Sequence, residues 1–194
     1  ILSGSGIFVS GDAVTATLAR SLTEGGPGSN STGLNAGGGL QMTVAETTAR
    51  GTGTAAVLSD GEYDVSRSRF QGAGDINSVG SGLRVYAGTA AATTIDLVDS
   101  LVTAETPSLV QASHALEVQT FFAGVPATVT ARGSTFFAGG GHPDAAVWAN
   151  KANPGAGAAT VDLRNSIARV ATTTPDTADL IADGGTVTAS HSSF

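Results

Sequence analysis

Three aspartates of this chain recur in one setting. Asp64, Asp96 and Asp162 each follow an apolar residue (Tyr63, Ile95, Val161) that opens an eight-position pattern. The pattern reads apolar, exposed, apolar, two free positions, Ser or Thr, free, usually apolar. If equivalent positions stack, Asp64 and Asp96 stand on neighbouring rungs and repel unless an ion or a basic group comes between them. Calcium takes about six to eight oxygens, and no third or fourth oxygen ligand can be picked out beside this pair. Arg132 and Arg164 lie near the same face. The aspartates are therefore read as a solvated face, and no metal is expected.

A second group has the chemistry of sugar recognition. Aligning Leu83, Leu116 and Ala145 places Tyr86, Gln119 and Trp148 outward on consecutive coils, with Arg84 and Glu117 on the same face. Aromatic planes flanked by hydrogen-bonding groups can stack on sugar rings. The plainer reading is that the two aromatics only cover the core, since isolated surface apolar residues are common. His114, His142 and His191 do not form a metal-ligand spacing. His142-Pro143-Asp144 could set a carboxylate near an imidazole, but a pair is not a site. Gly-x-Ser-x-Gly and paired-His motifs do not occur, so neither a catalytic group nor a cofactor is expected.

These residues must be positioned by a repeat. The pattern starts at Ala16, Met42, Tyr63, Ile95, Val129, Val161 and Val187, at spacings of 26, 21, 32, 34, 32 and 26 residues. Two positions on comes an apolar residue, and five on comes Ser21, Thr47, Ser68, Ser100, Ser134, Ser166 or Ser192. The hydroxyl column is expected at a bend, bonded to backbone. Phe70, Phe136 and Phe194, two residues past their serines, are expected to return to the core. The position four on (Arg20, Glu46, Arg67, Asp99, Gly133, Asn165, His191) reads as a cross-rung charge ladder. A second apolar element precedes each copy, and loops 25–31, 72–81, 139–144 and 150–159 are rich in Gly, Pro or Asn. Such periods signal units that bury a core only by stacking on their neighbours.

Composition narrows the partners. The chain has 194 residues, 27 glycines, no cysteine, and a formal net charge of −7 that opposes nucleic acid and anionic membranes. Zero cysteines exclude disulfides and thiolate sites, and no apolar run reaches the roughly 20 residues of a membrane span.

Rungs of 21 to 34 residues with apolar-x-apolar-x-x-Ser-x-apolar strands resemble the right-handed parallel β-helix of pectate-lyase-like enzymes and autotransporter-type surface passengers. The resemblance implies an all-β solenoid of about seven coils spanning 1–194 as a single domain, a segment of a longer protein. It also implies a secreted or cell-surface location. The expected function is non-catalytic, either structural or binding a glycan or cell-surface polysaccharide at Tyr86, Gln119, Trp148, Arg84 and Glu117. The alternative is a polysaccharide lyase or glycoside hydrolase acting on an extended glycan. The chain starts at Ile1 and stops two residues after Ser192. Open terminal rungs expose unpaired backbone, so self-association or fraying is expected there.

Overall fold

All seven repeat starts are Cα partners in one parallel ladder, from Ala16 through Met42, Tyr63, Ile95, Val129 and Val161 to Val187. The structure, a computed structural model, describes residues 4–26, 30–88, 91–107, 111–171 and 177–194. Ile1, the stretch 172–174 and the middle of loop 25–31 lie outside the described residues. The chain forms a right-handed parallel β-helix of about seven coils, its strands in three all-parallel sheets. Sheet 1 holds Ser5–Ser10, Thr32–Gly37, Thr54–Ser59, Gly80–Ala87, Ser113–Thr120, Asp144–Lys151 and Ala178–Asp183. Sheet 2 holds Thr15–Ala19, Leu40–Ala45, Gly61–Ser66, Thr93–Val98, Ala127–Arg132, Ala159–Arg164 and Thr186–Ser190. Sheet 3 holds Leu22–Glu24, Thr48–Gly51, Arg69–Ala73, Leu101–Glu105, Thr135–Gly139 and Ile167–Val170. Among the described residues no helix is long and apolar enough to cross a membrane.

Period-2 alternation builds the core. Inward residues such as Val44, Leu97, Val129 and Leu163 are fully buried, while the residues between them face outward. Phe70 and Phe136 enter the core as expected, but Phe194 is 53% exposed. It lies on the last rung, with no following coil among the described residues to cover it. The last rung enters sheet 3 only at Ser193, which bridges to Ile167.

The bend between sheets 2 and 3 explains two sequence columns at once. Ser68, Ser100, Ser134 and Ser166 each donate Oγ–H to the carbonyl two residues earlier, at 2.8 to 3.1 Å. Each also accepts the N–H of the column residue one coil before, so Ser100 N–H donates to Ser134 Oγ at 3.2 Å and Ser134 N–H to Ser166 Oγ at 3.3 Å. The hydroxyl column thus satisfies a buried column of backbone donors that strand pairing does not reach. Replacing Ser134 with Leu should lower stability by about 1–3 kcal/mol through overpacking. An unchanged denaturation midpoint would contradict the buried placement.

The neighbouring charged column has a backbone origin. Arg20, Glu46, Arg67, Asp99, Gly133, Asn165 and His191 all have positive φ, from 46° to 60°. They form the left-handed residue of the bend, a conformation that suits Gly and Asn and that other residues occupy at some strain. Within this column Glu46 and Arg67 do form an ion pair, at 2.9 Å, but both side chains are exposed and such a pair contributes at most about 1 kcal/mol.

Candidate functional site

The outer face of sheet 1 gathers all five residues expected to bind. Tyr86 and Gln119 are Cα partners, and so are Arg84 and Glu117. Trp148 departs from the expected alignment: its partner is Glu117, while Asn150 stands opposite Gln119. Val147, not Ala145, continues the inward row of Leu83 and Leu116. A one-residue slip would have turned every side chain over, whereas a slip of two keeps each on its face, so alternation alone does not detect it. The larger Val147 fills the layer and decides the register.

Glu117 lies at the centre, its side chain only 3% exposed. Arg84 Nε stands 2.8 Å from Glu117 Oε2, Arg84 Nη2 donates to Oε1 at 3.1 Å, and Ser81 Oγ donates to Oε2 at 3.2 Å. Burial alone would raise the Glu117 carboxyl; the imidazole of His114 and the guanidinium of Arg84 more than offset that and hold it below the usual carboxylate range. His114 Nδ1 is 3.9 Å from Oε2, beyond hydrogen-bond reach, so Arg84 is its direct partner. The imidazole instead packs on Trp148, ring centroids 4.6 Å apart. Arg84 lies 5.4 Å over the Tyr86 ring, and Tyr86 leans on Phe121 at 6.1 Å. Burial pushes the Tyr86 phenol up; Arg84 pulls the other way without reversing it.

Sequence reasoning missed His114 and Phe121 as members of this cluster. His114 was legible only as a histidine before a strand, and Phe121 belongs to the loop that follows one. Both come together by stacking of coils rather than by local pattern. Glu117 and Gln119, at 2% and 8% exposure, are buried on this face and offer a ligand little surface, whereas Tyr86 and Trp148 are half-buried. Ser81, His114 and Glu117 have the residue types of a nucleophilic triad, but Ser81 is fully buried and donates to the carboxylate directly.

On the outer face of sheet 2, Asp64 and Asp96 are rung neighbours as expected. The basic group that relieves their repulsion is Arg132, whose Nη2 reaches Asp96 Oδ2 at 2.5 Å. Arg164 donates through Nε and Nη2 to Asp162 Oδ2 at 2.8 and 2.6 Å, and Thr188 donates to Oδ1 at 3.1 Å. Hydrogen bonds from Arg164 hold the Asp162 carboxyl below its ordinary value. Among the described residues no three His, Cys, Asp or Glu side chains are grouped to hold a metal ion. His191 sits in the left-handed column of the bend, and His142 on the bend before Asp144–Lys151, its N–H donating to the Gln111 carbonyl at 3.0 Å. Compared with known proteins, the chain matches no protein-family model, no curated protein and no solved structure.

Proposed function

We propose that this β-helix is a non-catalytic module, secreted or displayed at a cell surface, that binds an extended glycan along the outer face of sheet 1. One observation carries the reading: Tyr86 and Trp148 are each held by a packed partner, Phe121 and His114, with the Arg84–Glu117 pair fixed between them. The two rings stand two coils and one column apart, about 12 Å on the diagonal. Rings fixed before the ligand arrives lose little freedom on binding, the usual source of affinity at aromatic anchors. The likeness to pectate-lyase-like and autotransporter-type β-helices belongs to this proposal and rests on the coil pattern. Against the alternative of a lyase or glycoside hydrolase, Asp96 and Asp162 are already engaged by arginines.

On a glycan array, Trp148→Ala should weaken binding by about 1 kcal/mol or more, the size of one aromatic anchor. Equal binding by wild type and variant would remove the site. Calcium should leave the melting temperature unchanged; a rise abolished by Asp64→Ala with Asp96→Ala would shift the reading to a calcium-dependent lyase.

A further inference from the structure

The outer surface of sheet 3 carries a trough that none of the foregoing uses. It follows an in-register column, with Glu24, Arg50, Gln71, Thr103, Phe137 and Arg169 as successive Cα partners, of which Glu24, Arg50, Gln71 and Phe137 line its cavities. One cavity of about 420 Å³ is lined by Glu24, Arg50, Gln71 and Ala73 among others. A second, of about 410 Å³, is lined by Ala73, Glu105, Pro107 and Phe137 among others. Ala73 lines both, so the two cavities adjoin there and follow one another along the coil axis. The column itself spans five strand spacings, about 24 Å, from the first coil to the sixth.

Its chemistry changes along its length. In the first half, Arg50 donates Nη1–H to Glu24 Oε1 and Nε–H to Gln71 Oε1, both at 3.1 Å. The charges cancel there, yet the Arg50 and Glu24 side chains are each 53% exposed and remain within reach of a ligand. In the second half Phe137 lies half-exposed beside Gly139, where a Cβ would come 3.7 Å from the ring and 2.9 Å from the Ala171 Cβ. The close approach of Ala171 is what requires glycine here, and the absent side chain leaves the edge of the ring uncovered. Glu105 also lines this half at an exposed position, where a carboxylate accepts from hydroxyls and disfavours an anion, so a matching ligand is long, carries no negative charge, hydrogen-bonds along its length and is apolar on one face. An extended peptide adding as a strand does not fit, because strand addition needs a free sheet edge and this trough lies on the outer face of the sheet, whose four inner strands are paired on both sides.

We infer that the trough is a second binding site, for a neutral oligosaccharide laid along the coil axis, with hydroxyls on Arg50 and Gln71 and a sugar face on Phe137. It is separate from the sheet 1 face and does not depend on it.

The test is a titration of the ¹⁵N-labelled full chain with cellohexaose, xylohexaose and mannohexaose, followed by amide chemical shifts. One of the three should shift Gln71, Thr103 and Phe137, and Phe137→Ala should raise that Kd by about fivefold or more. Ala73→Trp, at an exposed position where an indole would stand across the junction, should abolish the shifts while the melting temperature holds. Trp148→Ala should leave them in place. No shift on sheet 3 with any of the three sugars, or an unchanged Kd in Phe137→Ala, overturns the proposal. Shifts confined to Tyr86 and Trp148 also overturn it and leave the sheet 1 reading standing; shifts confined to sheet 3 support it and remove the other.

Discussion

Phe136→Ala should destabilise the protein by about 3–5 kcal/mol, whereas Phe137→Ala should lower stability by no more than about 1 kcal/mol. The two residues are adjacent in sequence and opposite in orientation. Phe136 is fully buried and stacks between Val102 and Ala168 in the inward column of sheet 3, while Phe137 faces the trough. Ala168 above is too small to collapse into the space an absent ring would leave, and paired strands on both sides hold the backbone apart. The cavity therefore stays open, which is the condition under which a large-to-small change is most damaging. In a solenoid each coil is stabilised mainly by its neighbours, so the loss weakens both adjoining interfaces. Urea unfolding should show a lower midpoint for Phe136→Ala at an unchanged slope. Similar losses in the two variants would mean that the inward and outward columns of sheet 3 have been exchanged.

That contrast also marks where the sequence was legible. The repeat starts, their inward partners and the Ser column could be read because period-2 alternation and a conserved small hydroxyl-bearing type within the chain each had one structural solution. The left-handed bend was hidden because Arg20, Glu46, Arg67 and Asp99 look like alternating charges; Gly133 and Asn165, the types that tolerate positive φ, were the clue. The column that the sheet 3 trough follows lies eight positions after each repeat start, one beyond the last position of the pattern. Its six members, Glu, Arg, Gln, Thr, Phe and Arg, are of five residue types, so nothing in composition announces them as a column. Trp148 was placed on the right face but two residues out of register, because parity survives such a slip. His114 under Trp148 and Phe121 against Tyr86 are contacts between different coils, which strand alternation does not encode.

Glu117→Ala should be the second large loss, about 2–3 kcal/mol. Removing one partner of a buried pair leaves the other charge uncompensated, a change of about 3–5 kcal/mol when both are fully buried. The Arg84 side chain keeps 30% of its surface in water, which reduces the expected figure. Ser81 loses its acceptor as well. Removing both charges together, as in Glu117→Leu with Arg84→Met, should recover most of the stability, because the penalty comes from the stranded charge rather than from the missing attraction. The pH dependence follows from the direction of the shift. The folded Glu117 carboxyl is held below the unfolded value of about 4.3, so its contribution is fully present above that value and disappears as pH falls through the folded one. The stability gap between wild type and Glu117→Ala should therefore be constant near neutrality and close progressively below about pH 4. A gap that stayed open in acid would show that Glu117 acts by packing alone. It would also mean that Arg84 is not held over Tyr86 by charge, and the preorganisation on which the sheet 1 site depends would lose its cause.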